Sequence, residues 1–406
     1  MKMIEKNCCM MMFSDPSYYL ENEIDLILWK NRFYRPIEIE RSALSHLSKP
    51  YSPADIKPLL SIIGEGIEYY TQIIKKLKHT STVECFLLAG DRSSCFSKHT
   101  KVLLSYHLII HLGDLYRYQS LVLPPPSDGS SLFKDAEMMY KQAIALDPSN
   151  GLGHHQLAVL STYEDANCMA MYRYCRSLAC AVPYSNAQRN LSILLSKNEK
   201  LYFQEKERNL SELNKKQLVN LFVTEFIEIQ KLLMDHVPND ETFGILFHEY
   251  KLLQVDAASA PLIFRIVMIA IYMADDGWKK GNDVTLSSVT TQISALAWSV
   301  LFRTVSVIIR NTAISISIHK KEKFLLRHMP TIAVFVYINS DMLNSGNGQH
   351  QRFSVFLQSE WMIWSEMIGL LNRIPLKHVS DEKRDLMFYE VELRGFLPFK
   401  GAYDSK

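Results

Sequence analysis

Apolar residues recur at intervals of three and four along almost the whole chain, and runs that alternate with a period of two are scarce, so the pattern predicts an all-α protein. Over residues 22–48, Ile24, Ile27 and Leu28 keep helical spacing, with Arg32 and Arg35 projecting nearby and Pro36 perturbing the continuation. Pro50, Pro53 and Pro58 mark a loop and the start of the next helix. Residues 54–78 then read as one long helix that carries Ile56, Leu59, Leu60, Ile63, Ile67, Tyr70, Ile74 and Leu77 on a single face. Its closing lysines, Lys75, Lys76 and Lys78, suit the negative helix end. Residues 79–100 form a connection with Cys85, Phe86, Leu87 and Leu88 tucked inward, and 101–122 is apolar on nearly every side as far as Leu112, as in a helix surrounded by others. The proline-rich stretch 124–131 is the clearest loop. Beyond it, 191–233 predicts one or two long amphipathic helices, and 237–240 interrupts before a helix at 243–253. Asp275, Asp276 and Gly277, with residues 280–283, flank another loop. Helical hairpins continue through Tyr337, with Phe335, Val336 and Tyr337 helical, and residues 346–349 connect to an aromatic-rich helix at 353–371.

Residues 111–190 repeat themselves. A shift of 34 residues superposes Ala136 on Ala170, Tyr140 on Tyr174, Ile144 on Leu178 and Ala145 on Ala179, which is the tetratricopeptide period. Each such repeat is two antiparallel helices, whose small residues permit close approach while aromatics fill the groove against the next repeat. Residues 147–151 supply the break: Pro148 stops the first helix, and Asn150 or Gly151 takes a left-handed turn before His155, Gln156, Leu157 and Ala158 begin the second. Val182 and Pro183 repeat the break. Two copies bury too little surface alone, so helices must flank them on both sides, and 406 residues suit two helical subdomains or one continuous array.

Composition narrows the function. Forty-five Lys and Arg against 43 Asp and Glu leave a net charge of +2, which gives no global field of the kind that draws a protein to nucleic acid, so none is expected as a direct partner. The seven cysteines (Cys8, Cys9, Cys85, Cys95, Cys168, Cys175, Cys180) lack paired zinc spacing and read as reduced thiols of an intracellular protein. Residues 1–12 lack the apolar core of a signal peptide, and the most hydrophobic stretches, 262–274 and 293–309, are interrupted by Arg265 and Arg303 and fall short of the roughly 20 apolar residues that span a bilayer. No phosphate-binding glycine loop, nucleophile elbow, zinc-protease helix or deaminase signature occurs, so neither catalysis nor a cofactor is expected. His107 and His111, four apart, could share a helix face, but among aliphatic neighbours and without a third ligand they read as core histidines; His154 and His155 point about 100° apart, and Phe247 to Tyr250 lacks the second histidine of a zinc-protease motif.

One charged residue stands out. Arg117 ends the apolar 101–122 helix within the run Gly113-Asp114-Leu115-Tyr116-Arg117-Tyr118. Its structural reading is an ion pair with Asp114, three residues earlier, or with a neighbouring helix. Its functional reading is a guanidinium fork offered to a phosphate or carboxylate, with the Tyr118 hydroxyl as a second donor. Lys30, Arg32 and Arg35 read by default as a solvated helix face.

That run resembles the Gly-Asp-x-x-Arg-Tyr segment of 14-3-3 proteins, and the continuation resembles still more the SMG (Est-one-like) adaptors of nonsense-mediated mRNA decay. Supporting similarities are Leu28-Trp29 with Phe33-Tyr34, Glu65-Gly66-Ile67 with Tyr69-Tyr70, Asn150-Gly151 with Gln156-Leu157-Ala158, Tyr174-Cys175-Arg176-Ser177, and the closing run from Glu392 to Pro398. The details look most like the Smg-five type. The resemblance implies a 14-3-3-like tetratricopeptide domain over residues 1–195 and a domain of stacked helical hairpins over 196–406. It implies a phosphoserine pocket at Arg117 and Tyr118, with departures at Tyr34, where phosphopeptide-binding relatives have lysine, and His155, where they have asparagine; Arg35 is the candidate to replace the lysine. It also implies a heterodimer with an Smg-seven type partner through Glu65, Gly66, Glu68 and Tyr69, and binding of the phosphorylated up-frameshift RNA helicase, with a protein phosphatase among the machinery recruited. The expected setting is the cytoplasm with shuttling to the nucleus. The alternative is a structural heterodimer subunit whose phosphoserine pocket is degenerate; nuclease activity finds no acidic cluster suited to metal ions.

Overall fold

The computed structural model describes residues 2–48, 51–79, 97–127, 129–235 and 259–281, with a few positions between 297 and 308. The chain divides into two compact units, Met1–Leu160 and Ser161–Lys406. The division expected after residue 195 follows the end of the helical repeat, whereas these packing units divide inside it.

In the first unit, α1 (Lys2–Ser14) is followed by α2 (Pro16–Glu21), where the Asp15 carboxylate accepts from the Tyr18 N–H and Pro16 occupies the first helical position. α3 (Ile24–Leu28) runs without interruption into a π-helical segment (Trp29–Tyr34) and then α4 (Arg35–Ser45). Pro36 perturbs this helix without ending it: it has no N–H to give Arg32, and its ring crowds that carbonyl. The widened turn just ahead of it absorbs the mismatch.

α5 (Pro53–His79) starts at Pro53 and keeps Pro58 in its interior. Its buried positions, Leu59, Ile63, Gly66, Tyr70, Ile73 and Leu77, alternate steps of four and three, the spacing of a single stripe. The stripe meets α6 (Lys98–Ser120), which the Ser97 hydroxyl caps by accepting from the Thr100 N–H. Near its end the stripe follows Ile73, with Ile74 half-buried beside it. From Leu108 to Leu115 every residue of α6 is buried, because α2, α5 and α7 (Lys134–Leu146) all pack on it. Each fully buried Leu or Ile contributes about 1.5–3 kcal/mol relative to exposure. α8 (Leu152–Tyr163) follows α7, and its Gly153 lies against Ile144 of α7.

In the second unit, α9 (Asn167–Leu178) and α10 (Asn186–Glu205) form the second hairpin, α11 (Lys215–Met234) packs on α10, and α12 (Ala260–Gly281) packs on α9 and α11. α11 opens with a capping box in which Asn214 and Gln217 satisfy each other's backbone N–H groups.

The repeat holds at its core positions: Ala136, Ala170, Tyr140 and Tyr174 are all buried. Ala145 is exposed where Ala179 is buried, so that pair shares sequence but not environment. Two local expectations are corrected. The break at residues 147–151 uses no left-handed residue; among the described residues positive φ occurs only at Glu23, Asp165 and Gly129. Side chains make the turn instead, as Asp147 accepts from the Ser149 N–H and hydroxyl and the Asn150 amide oxygen accepts from the Leu152 N–H to begin α8. The backbone is helical through Asp275, Asp276 and Gly277, since one interior glycine costs about 1 kcal/mol, less than the apolar stripe of α12 contributes. The expectations at 85–88, 237–240, 243–253, 335–337, 346–349, 353–371 and 392–398 lie outside the described residues.

Among the described residues there is no β-strand, which fits the all-α class, and no helix long and apolar enough to cross a membrane. Among the described residues, Cys8, Cys9, Cys168, Cys175 and Cys180 are not in disulfides.

Candidate phosphate-binding site and partner face

Gly113 builds the first site by having no side chain. A Cβ there would lie 2.5 Å from the Tyr140 ring, so glycine lets α7 bring that ring against α6. The Tyr140 hydroxyl then reaches Asp114 on the next residue, donating to Oδ1 at 2.6 Å. Arg117, one turn further along α6, gives Nη2 to the same oxygen at 3.1 Å and Nε to the Tyr140 hydroxyl at 3.4 Å. The three side chains close a triangle, and Gln156 from α8 adds a 3.4 Å contact to Asp114 Oδ2.

All three are buried, and Arg117 is only 8% exposed. Burial opposes its charge, but Asp114 and Tyr140 outweigh that and hold Arg117 well above the ordinary arginine range. Burial drives the Tyr140 phenol up as well, and Asp114 adds to it. His155 goes the other way: burial, resisted by Asp114 and reinforced by Arg117, lowers it from 6.5 to about 4, so at neutral pH it is uncharged.

The structural reading of Arg117 is therefore realised, and it leaves the functional one open. A guanidinium has five donors; two go to Asp114 and Tyr140 here, and Arg117 also hydrogen-bonds the Tyr118 side chain, which leaves at most two N–H groups in a fixed plane for an anion. The Arg117 guanidinium lies over the Tyr118 ring at 4.4 Å, and a second guanidinium, Arg41 of α4, lies over the same ring at 4.9 Å. Burial pushes the Tyr118 phenol to about 12, so it stays a donor. Arg41 is paired with Glu38 at 2.5 Å and keeps about a third of its side chain exposed.

Arg41 is a neighbour of Tyr118 that the sequence reading did not single out. It follows the exposed Tyr34 by seven residues, two turns along one helix face, and that spacing was the available signal. Arg35 is exposed and donates to Asn31 Oδ1 at 2.9 Å, one turn back, while the guanidinium over Tyr118 from α4 is that of Arg41.

His107 and His111 have separate protein partners. His107 pairs with the buried Asp25 at 2.7 Å, and His111 stacks on Trp29 at 4.6 Å. Among the described residues no group of three potential metal ligands exists. Burial lowers His111 from 6.5 to about 4.

The expected partner face divides. Glu65 and Glu68 are exposed and Tyr69 is half-buried, but Gly66 is inside: a Cβ would stand 2.8 Å from Leu115 and 3.1 Å from Phe33. Gly66 is small so that α5, α6 and the π segment can meet, which corrects its placing on an interface surface. Arg32 is no solvated helix position either; it bridges Glu5 of α1, at 2.5 Å, and Glu65 of α5.

The chain matches the family described as Est1 DNA/RNA binding domain over residues 136–402. It is 26% identical over 202 residues to the zebrafish (Danio rerio) nonsense-mediated mRNA decay factor SMG7, which covers 46% of this chain and 16% of that protein. With the zebrafish factor SMG5 the identity is 24% over 243 residues, covering 56% of this chain and 22% of the relative. The chain thus spans less than a quarter of the length of either protein. Among solved structures, that of Est1 and Cdc13 superposes with a TM-score of 0.67 at 14% identity, covering 98% of this chain and 81% of that one, which fixes the shared helical fold. With the family pattern running over more than half of its length, the chain belongs to the Est1 DNA/RNA-binding-domain family, in company with the decay factors SMG5 and SMG7.

Proposed function

We propose that this chain is an adaptor of nonsense-mediated mRNA decay that reads phosphoserine and pairs with an Smg-seven type partner. The observation that carries the first part is the pair of guanidinium groups, Arg117 and Arg41, over the one Tyr118 ring. Each charge-assisted hydrogen bond to a phosphate oxygen contributes about 1.5–3 kcal/mol, one to two decades of affinity. Tyr34 offers a hydroxyl where a third cation would stand, and Asp114 and Glu38 offset much of the local positive charge. The resulting affinity for a single phosphoserine is modest. A partner carrying a second pocket raises it through effective concentration, which is the role we assign to heterodimerisation.

The phosphorylated up-frameshift RNA helicase is the ligand this reading names, and recruitment of decay enzymes and a phosphatase is the output, in the cytoplasm with passage through the nucleus. The relatives' identity as decay factors supports the pathway. The test is titration of a phosphoserine peptide from that helicase into the chain. Arg41→Glu, on a half-exposed residue, abolishes binding with the fold intact if the pocket is as described. Unchanged binding in Arg41→Glu would remove the pocket from the account and leave the structural-subunit reading.

A further inference from the structure

Arg41 stands over Tyr118 already paired. Glu38, three residues earlier on α4, holds it at 2.5 Å, as Asp114 holds Arg117 at 3.1 Å in the buried half of the site. The two carboxylates are not held alike. Asp114 is buried and accepts from Arg117 and from the Tyr140 hydroxyl at Oδ1, with Gln156 at Oδ2. Drawing it away from Arg117 would leave a buried charge uncompensated, so that pair stays closed. Glu38 keeps 40% of its side chain exposed and Arg41 31%. An exposed ion pair contributes little, and a carboxylate so placed turns into water without stranding a charge.

Its position puts Glu38 in the path of an anion. Tyr34, Glu38 and Arg41 follow one another by four and three residues and so share one helix face, with the carboxylate between the exposed tyrosine and the arginine. Burial is the largest cause of the raised Tyr118 phenol, and the Glu38 charge is a smaller one that adds to it. The carboxylate is therefore felt at the same ring that both guanidinium groups cover.

A guanidinium pairs with a carboxylate and with a phosphate in the same forked way, so the two compete for Arg41. A phosphoserine phosphate brings about 1.5 to 2 negative charges and three acceptor oxygens, more than a carboxylate offers. It wins the exchange, and the exchange costs it part of its affinity.

We propose that Glu38 is a built-in competitor at the phosphate site, a carboxylate that occupies Arg41 when no ligand is bound, is displaced by phosphoserine, and so sets the affinity of the site. The proposal rests on the phosphoserine reading above and adds to it a residue that opposes binding. A carboxylate that only oriented Arg41 for the ligand would act the other way, since its loss would weaken binding.

The test uses the full chain and one helicase-derived peptide, phosphorylated on serine and unphosphorylated. Calorimetry compares the unaltered chain with Glu38→Gln and Glu38→Ala, and with Glu40→Gln, which removes the same charge from α4 about 200° round the helix. We expect both Glu38 variants to bind the phosphorylated peptide about threefold or more tightly than the unaltered chain, with no gain for the unphosphorylated one. Glu40→Gln stays within about twofold of the unaltered chain, a difference of about 0.4 kcal/mol. Equal or weaker phosphopeptide binding in the Glu38 variants, or an equal gain in Glu40→Gln, would overturn the competitor and leave the phosphate site standing. Binding that ignores the phosphate in every chain, or no binding in any, would overturn the site and the competitor together.

Discussion

At the scale of single residues, the buried triangle of Asp114, Arg117 and Tyr140 organises the site. Its members hold one another, so removing one leaves the others partly unsatisfied where most of the surrounding solvent is excluded. Tyr140→Phe deletes a donor to Asp114 and an acceptor for Arg117 together. We expect it to lower unfolding free energy by about 1–3 kcal/mol in urea denaturation. We also expect it to weaken phosphopeptide binding by freeing the guanidinium plane.

The buried histidines give a pH signature. His111, and His155 beside the triangle, ionise near pH 4 when folded against 6.5 when unfolded. Between those values the unfolded chain binds more protons, so the stability present above pH 6.5 is lost as pH falls toward 4. For His111 alone the change amounts to roughly 3 kcal/mol. Thermal unfolding at a series of pH values checks this: His111→Phe, which keeps a ring against Trp29, flattens the acid limb if the assignment is right. The two readings of Arg117 that the sequence left open both survive at this scale. The Gly-Asp-x-x-Arg spacing placed the ion pair, but the Tyr140 ring that completes it comes from 23 residues further on, a contact that spacing along one helix does not report.

Among the elements, close approach explains what looked like a surface feature. Gly66 reads in the sequence as a distinctive small residue on an interface helix, but a small residue is equally what two crossing helices need, and the structure places it against Leu115 and Phe33. Gly64, two residues earlier on the exposed side of the same helix, has nothing within 4 Å of a Cβ position. The pair makes a controlled prediction. Gly66→Ala overpacks the helix crossing and destabilises the isolated chain by about 1–3 kcal/mol. Gly64→Ala raises stability by about 0.5–1 kcal/mol through helix propensity alone. Equal effects on the two melting temperatures would contradict the crossing.

Long helices and their buried stripes were legible because burial on one side leaves a period of three and four. The π segment was not. Pro36 suggested a perturbation, and only the structure shows that an extra-wide turn lets the helix continue into α4, where Arg41 falls two turns after Tyr34 on one face. Arg35, nearer in sequence to the expected lysine position, lies a third of a turn off that face.

Across the molecule, the all-α class and the tetratricopeptide period followed from patterning, because both are repeated many times along the chain. Net charge and family description pull apart: the family is named for DNA and RNA binding, whereas a net charge of +2 supplies little long-range attraction to phosphate backbones. We therefore expect fluorescence anisotropy with labelled single-stranded RNA to show only weak binding that disappears as salt is raised. Tight, salt-resistant binding would assign the helical array a nucleic-acid surface that its overall charge does not suggest.

We propose that Arg117 and Arg41 together form a phosphate site on Tyr118. The most direct test is calorimetric titration of one helicase-derived peptide, phosphorylated and unphosphorylated, into the unaltered chain and into Arg41→Glu and Arg117→Glu, with melting curves to confirm that each variant is folded. The account predicts phosphate-dependent binding by the unaltered chain that Arg41→Glu removes as completely as Arg117→Glu. Binding that ignores the phosphate, or that survives the loss of Arg41, would contradict it.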